Sequence, residues 1–493
     1  MTKKISADER LKKLSSRYSD DEINHIFEMP PTKMNQHKFD LISISNKSSS
    51  EYILDTSKEY SIYVCSNRAI PNVSDGLKDC QRKALWLIKS MNDKIKTISL
   101  VGSLISSNLY VHGDASAAKA ISMLAAPYCN NVPLLEGIGT FGTRVAPVEG
   151  IASPRYTYIK KNKASENILF RDIDVIPLKD NYDASTQEPE TFLPLIPTVL
   201  LNGVSGIAVG WSTEILPRNL NDLIEATINV VDGKALKLIQ PKYDYFNLDI
   251  RHIAGNSWEF SGKVKILDTS TIQITELPPD LTLEQMKERL NLMEDDDKIS
   301  GYMDESTDKI SLKVKFKRGT ISDWSESKAI DFFKLKQKTT ERIVVINWDG
   351  KSIKQYDTAE QVVVDFVEWR LTYYKKRFEK LIYDDSYELK YWKSLEECFK
   401  QKLSEKVVKI NNKKELEDEV KIITSKIGPD DYQIDKIVSQ QTFKWAKDYI
   451  EEIKKQIEQL ENNIKENTSI LSDPDKIRGV YRTELTELKK IKI

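Results

Sequence analysis

The chain has 493 residues, 40% of them apolar, and balances 74 Lys or Arg against 75 Asp or Glu; it can bury real cores, should divide into two to four domains, and is not disordered. No run approaches the roughly 18 consecutive apolar residues of a membrane span, and Met1 to Arg10 contain no apolar signal core, which predicts an intracellular, cytoplasmic protein. Four cysteines without CxxC spacing and four unclustered histidines argue against a zinc site or a disulfide framework, so any catalytic metal must be held elsewhere.

Residues 1 to about 55 are polar and rich in Lys, Ser and Asp, and read as an extension with at most a short helix near Asp20 to Phe27. From about 56 to 165 the pattern is compact. A helix is predicted at Cys80 to Met91, with Ala84, Leu85, Leu87 and Ile88 on its apolar side, and another at Ala115 to Ala126. A strand-and-turn stretch follows through Gly137, Gly139, Gly142 and Gly150. Short helices followed by a small β element suit a winged-helix module whose second helix lies against a DNA groove. Residues 61 to 170 hold 13 Lys or Arg against 7 Asp or Glu, a modest footprint for phosphate, although a solvated basic face gives the same count.

Within Gly150 to Lys160 the alternation suggests a strand, and it sets Arg155 beside Tyr156. A free phenol has a pKa of about 10, so about one in a thousand is ionised at pH 7; that deficit of about 4 kcal/mol is one a neighbouring cation can offset. Among 21 tyrosines a strand Tyr is more often a packing residue than a nucleophile. Tyr158, two positions along the same strand, would face the same side and is the rival nucleophile.

Residues 190 to 365 read as α/β, with strand-like runs at Gly262–Leu267, Ile272–Leu277, Lys309–Phe316 and Arg342–Asn347, whose alternation predicts one solvated sheet face. The period then changes. A helix from about Val362 to Leu403 is followed by shorter helical pattern over 404 to 444, broken at Gly428-Pro429. A return seam of Ile450, Ile453, Ile457, Leu460, Ile464 and Leu471 steps by three and four. An out-and-back arm with a knob at its tip fits this pattern, as does an ordinary helical hairpin.

Five motifs follow one another in register: Asn67 to Trp86 (NRAIPNVSDGLKDCQRKALW), Tyr110 to Asp114 (YVHGD), Leu134 to Arg144 (LLEGIGTFGTR), Arg155-Tyr156, and Leu201 to Thr213 (LNGVSGIAVGWST). In that order and spacing, over roughly residues 56 to 493, the chain resembles the DNA breakage-and-reunion subunit of type IIA DNA topoisomerases. Gln81-Arg82-Lys83 and Gly210 to Thr213 look closer to the eukaryotic branch than to gyrase. There is no GxxxxGK[S/T] loop and no block of C-terminal strand repeats; a short, separate cleavage subunit of this kind is similar to that of T-even-like bacteriophages.

The resemblance implies a mixed α and β multidomain fold: an N-terminal extension (1–55), a winged-helix cleavage domain (56–190), an α/β tower domain (191–365), and a long antiparallel coiled coil with a helical C-gate (366–493). It implies Tyr156 as the nucleophile, making a transient 5′-phosphotyrosyl break, Arg155 as the stabiliser of its charge, and His112 on the scissile phosphate or the departing 3′-oxygen. Arg68, Lys78, Arg82 and Lys83 would hold backbone phosphates. Ile207 would be an apolar wedge between base steps; a buried strand Ile beside Gly206 is the alternative. Mg²⁺ would be held mainly by a partner TOPRIM domain and ATP by a partner subunit, with no metal on this chain; Asp172-Ile-Asp174 has the right letters in the wrong context. The implied partners are double-stranded DNA, a second copy of the chain in a homodimer, and an ATPase/TOPRIM large subunit, in the host cytoplasm if the source is viral. Asp79-Cys80, Val111, Ile138 and Pro154 depart from the family pattern. A non-enzymatic DNA-binding coiled-coil scaffold is the competing reading, and a Tyr-dependent strand breaker working without a partner is a second.

Overall fold

A computed structural model describes residues 49–147, 150–407, 410–440 and 449–491. The helix expected near Asp20 to Phe27 lies outside the described residues. Contacts divide the chain into two compact units, one running to Val367 and taking in the residues from Leu485 on, the other spanning Glu368–Glu484.

The first unit begins with helix α1 (Ser49–Val64), which runs into a wider π-helical turn at Cys65–Ala69. Helix α2 (Asp79–Ile88) matches the first predicted helix and buries Ala84, Leu85 and Ile88; Leu87, expected beside them, is only half-buried. After the short strand β1 (Ile95–Lys96) comes α3 (Thr97–Ser106), which sequence reading did not anticipate. Its Thr, Ser and β-branched residues have weak helix propensity, and burial of Leu100, Val101 and Leu104 supplies what propensity does not. Helix α4 (Asp114–Ala125) is the second predicted helix. The three helices pack on one another, and strands β2 (Leu135–Ile138) and β3 (Tyr158–Lys161) complete an antiparallel sheet of order β1-β3-β2, with Gly137 opposite Ile159 and Lys96 opposite Tyr158.

Strands β4 (Leu178–Asp180) and β5 (Gln187–Pro189) form a ribbon, and β6 (Val204–Ile207) and β7 (Ser212–Ile215) a hairpin. Helix α5 (Leu220–Val231) is capped by Asn219, whose side chain accepts from the backbone N–H groups of Asn221 and Asp222. Strands β8 (Asp249–Ala254) and β9 (Ser257–Ser261) form one sheet with β14 (Lys336–Thr340). Strands β10 (Lys263–Ile266), β11 (Thr271–Glu276), β12 (Gly301–Asp304) and β13 (Leu312–Lys315) form another, in order β10-β11-β13-β12. Helices α6 (Leu283–Asp295) and α7 (Glu326–Phe332) belong with this second sheet, and Met286, Leu290 and Ala329 join Ile272, Ile274, Leu312 and Val314 in one core.

The alternation in β11 and β13 places alternate residues in that core, as expected. The run Ile343–Ile346 does not behave so. It forms β15, paired along one edge with β16 (Ile353–Tyr356) and bridged along the other through Arg342 to Glu214 of β7 and through Ile346 to Asn72; all four of its residues are buried, Val344 and Ile346 against Cys65, Ala69 and Ile70. A strand covered on both faces reads as a continuous apolar run.

Helix α8 (Ala359–Lys400) leads into the second unit, where α9 (Leu403–Val407), α10 (Lys413–Ile423) and α11 (Asp431–Val438) supply the short helices expected before and after Gly428, which carries φ +70°. The return helix is α12 (Tyr449–Leu471). Tyr391, Leu395, Cys398, Val420, Ile434 and Ile453 form this unit's core. Of the return seam only Ile453 is fully buried; Ile450, Ile457, Leu460, Ile464 and Leu471 stay half-exposed. The chain continues past the seam into α13 (Pro474–Lys490), which was not anticipated, although its proline sits at the first helical position and Ile477, Tyr481, Leu485 and Leu488 are spaced by three and four. No helix among the described residues is long and apolar enough to cross a membrane.

Candidate active site

The segment that carries Tyr156 is a turn, not the strand its alternation suggested; pairing with β1 and β2 begins only at Tyr158. Pro154 supplies a fixed φ and no N–H, and the Tyr156 N–H closes on the Ser153 carbonyl at 2.9 Å. Both ends of the turn are tied to the start of α3. Ile98 N–H donates to the Pro154 carbonyl at 3.1 Å, Thr97 N–H donates to the Thr157 carbonyl at 3.0 Å, and the two threonine hydroxyls meet at 2.8 Å. The backbone is therefore held while the side chains point out: Tyr156 is 72% exposed and Arg155 is exposed. Neither side chain makes a hydrogen bond or ion pair among the described residues.

Tyr158 lies beyond that turn, at the start of the strand. It is half-buried in β3, with the Lys94 and Lys96 ammonium groups 5.3 and 6.0 Å from its ring centroid. The two-residue periodicity that made it a rival applies only where both residues lie in one strand.

His112 precedes α4, and both of its ring nitrogens are engaged. Arg68 Nη2 lies 2.7 Å from Nδ1 and Tyr63 Oη 2.5 Å from Nε2. Burial, and after it the Arg68 guanidinium, hold the His112 pKa below the usual histidine value of 6.5. Arg68 itself is exposed on the π-helical turn. Lys78, at the start of α2, reaches across to the Ser205 carbonyl at 2.9 Å, and burial draws its pKa down. Arg68, Lys78, His112 and Lys119 line one cavity of about 840 Å³, which Tyr156 does not border.

Arg82 and Lys83, expected on phosphates, are placed otherwise. Arg82 is 6% exposed, and its guanidinium grips Asp75 in a bidentate pair, Nε to Oδ2 at 2.6 Å and Nη2 to Oδ1 at 2.8 Å, with a third bond to the Leu77 carbonyl. Burial alone would lower its pKa, but Asp75, with Asp79 and Glu188 behind it, more than reverses that. Lys83 is paired with Asp79 at 2.9 Å and with Glu188 of β5 at 3.0 Å. A cation already held by a buried carboxylate has little to offer a phosphate; these two residues tie α2 to its surroundings. Asp75-Gly76 forms a turn, with Gly76 at φ +67° and no room for a Cβ against Val199 N. The turn also delivers the buried carboxylate, a role the sequence reading missed. Asp75 lies before α2, outside the helix whose spacing could have paired it with Arg82.

Ile207 is 86% exposed at the end of β6, which removes the reading of a buried strand residue. Its neighbours explain why. Gly206 is pressed against the π-helical turn, where an added Cβ would stand 2.1 Å from the Ala69 carbonyl oxygen, and Ala208 packs against the cluster of Cys65, Ala69 and Ile346. With both flanking residues facing inward, Ile207 faces out, and Val209 and Trp211 are also exposed beside it.

Among the described residues no three His, Cys, Asp or Glu side chains gather as a metal-binding group, and Asp172 of the Asp172-Ile-Asp174 run is buried. Among the described residues the donor sets do not fit a metal centre.

The family of DNA gyrase and topoisomerase IV A-type subunits matches residues 68–486. The DNA topoisomerase medium subunit of Enterobacteria phage T4 is 31% identical over 464 residues, covering 91% of this chain and 100% of that protein. DNA topoisomerase 2-alpha of Gallus gallus is 33% identical over 329 residues, 64% of this chain but 21% of that much longer protein. The solved DNA-binding, cleavage and re-ligation domain of Plasmodium falciparum topoisomerase II shares the fold, with a TM-score of 0.78 at 22% identity over 98% of this chain and 70% of that one.

Proposed function

Since the chain belongs to the family of DNA gyrase and topoisomerase IV A-type subunits and so serves DNA cleavage and religation in a type II topoisomerase, we propose that Tyr156 is its nucleophile. The Tyr156 oxygen attacks a backbone phosphorus in line; the Oη–P bond forms as the P–O3′ bond breaks. The phenolic proton is lost on attack, and the released 3′-oxygen takes one up. One phosphodiester replaces another, so religation by the 3′-hydroxyl needs no outside energy. The observation that supports this most directly is the exposure of Tyr156 on a turn whose backbone is tied down at both ends.

Arg155 stabilises the phenolate and the added charge on the phosphoryl oxygens, a contribution of about 3 kcal/mol for a preorganised donor. His112 contacts the scissile phosphate, and Arg68 and Lys78 hold backbone phosphates without reading bases. Arg82 and Lys83 support the site by fixing α2. Ile207 enters between base steps, and the unstacking, costing on the order of a few kcal/mol, favours deformable sequences.

The three-helix and three-strand module is read as a winged helix, the sheets from 191 to 365 as a tower domain, and the helical unit as a coiled coil ending in a C-gate. Mg²⁺ is assigned to a TOPRIM domain and ATP to an ATPase on partner chains; this chain binds and orients the DNA and supplies the attacking oxygen. Two copies cut opposite strands, and a second duplex passes through the gap, giving relaxation and decatenation in the cytoplasm. The scaffold reading has no support from the relatives found.

Supercoil relaxation and denaturant-trapped covalent adducts, measured with partner chains present and omitted, test the proposal. The wild-type chain with partners should give the adduct, Tyr156→Phe should lose it completely, and Tyr158→Phe should keep it. An adduct that survives Tyr156→Phe sinks the assignment, and cleavage by the chain without partners would favour a standalone strand breaker.

A further inference from the structure

His112 sits between two side chains that leave its ring little choice. A guanidinium can only donate, so the 2.7 Å contact from Arg68 Nη2 makes Nδ1 the acceptor nitrogen. The proton of the neutral ring is then on Nε2, and Tyr63 Oη, 2.5 Å away, accepts it. The rings of Tyr63 and Tyr110 meet the imidazole edge-on at centroid distances of 5.8 and 5.2 Å, and Tyr110 is itself held by a 2.9 Å hydrogen bond with Ser116 Oγ. Two aromatic rings and one cation thus fix both the tautomer and the plane of His112.

We propose that Tyr63 is a positioning residue for strand cleavage and religation, holding the His112 Nε2–H at the place where a phosphate oxygen will take over from the Tyr63 hydroxyl as acceptor. The inference rests on the reading of His112 as a phosphate contact. Tyr63 lies at the last turn of α1, outside all five sequence motifs, and only the fold brings it to a residue 49 positions away. Its phenol stays protonated and neutral, since burial raises its pKa, so it competes for the Nε2–H as a neutral acceptor that an anionic phosphate oxygen can displace.

The test is a double-mutant cycle in the enzyme reconstituted with its partner chains, reading the rate of covalent-adduct formation. Tyr63→Phe keeps the ring and removes the acceptor; it should slow cleavage about tenfold, the weight of one well-placed hydrogen bond, with DNA affinity and thermal unfolding unchanged. His112→Ala should also be slow, and adding Tyr63→Phe to it should cost nothing more, because a residue acting through His112 has nothing to act on once the ring is gone. A histidine ¹⁵N–¹H spectrum should show the Nε2–H resonance of the wild type at low field and its loss from that position in Tyr63→Phe. An equal loss of rate in both backgrounds would mark Tyr63 as merely structural and overturn the inference, as would full activity of Tyr63→Phe beside an impaired His112→Ala. Full activity of His112→Ala would instead overturn the His112 reading itself, and the Tyr63 inference with it.

Discussion

Asp75 is fully buried, and its carboxylate takes four hydrogen bonds, two from Arg82 and one each from the Leu77 and Phe192 backbone N–H groups. Removing it strands the Arg82 guanidinium in the interior without a counter-charge, a loss of about 3–5 kcal/mol. Asp75→Ala should accordingly lower the thermal unfolding midpoint by several degrees in calorimetry, and an unshifted midpoint would mean that the pair is not structural. Electrostatics at His112 yield a second prediction at this scale. Burial comes first and Arg68 second in holding its pKa down, while Asp79 opposes and Lys83 adds to the lowering. As pH falls below about 6.5 the unfolded chain takes up the proton before the folded one. The stability linked to neutral His112 is therefore present above pH ~6.5 and is lost on the way down to its folded pKa. Arg68→Met removes one lowering charge, so the acid limb of the cleavage-rate profile between about pH 5 and 8 should move to higher pH. An unmoved limb would disconnect Arg68 from the ring. None of these pairings was visible along the chain. Arg82 and Lys83 stand next to each other in a basic motif, and nothing local distinguishes a cation that meets DNA from one that meets Asp75 or Glu188.

At the level of elements, the β6–β7 hairpin and the Tyr156 turn use the same device, a backbone pinned from behind so that one side chain projects. The hairpin is pinned at Gly206 against the Ala69 carbonyl, and Ile207, being 86% exposed, contributes almost nothing to a core. Ile207→Ala should leave unfolding unchanged while reducing DNA bending and loosening cleavage-site preference, as read by end-to-end fluorescence transfer on a short duplex and by mapping cleavage sites. Gly206→Ala should do the opposite, lowering stability through a backbone collision that no rotamer relieves. Either result reversed would mean that the hairpin does not present the wedge. Sequence alternation identified β11 and β13 well because one face of each meets the core of α6 and α7. It failed at Arg155-Tyr156, where Pro154 and the ties to Thr97 and Ile98 turn the chain before the sheet begins. It also misjudged β15, which is buried on both sides.

Across the whole molecule, the return seam of α12 leaves Ile450, Leu460, Ile464 and Leu471 half-exposed in a single chain, and a second copy is the partner the proposed two-strand break requires. Sedimentation of the purified chain should give twice its 56.7 kDa mass; a strictly monomeric species at micromolar concentration, with partners present as well, would count against paired cleavage. What the sequence by itself determined was the order and spacing of the motifs from Arg68 onward, the long helices, and hence the reaction class. Information of that kind lies along the chain, in periodicity and in the neighbouring residues of each motif. Only the tertiary structure decided which of the matching residues are free to act. It buried Arg82 on Asp75, paired Lys83 with Glu188, exposed Ile207 and Tyr156, and brought Tyr63 to His112. The physical reason is that burial and charge pairing depend on partners from distant parts of the chain, and a side chain's availability to a substrate is whatever those partners leave over.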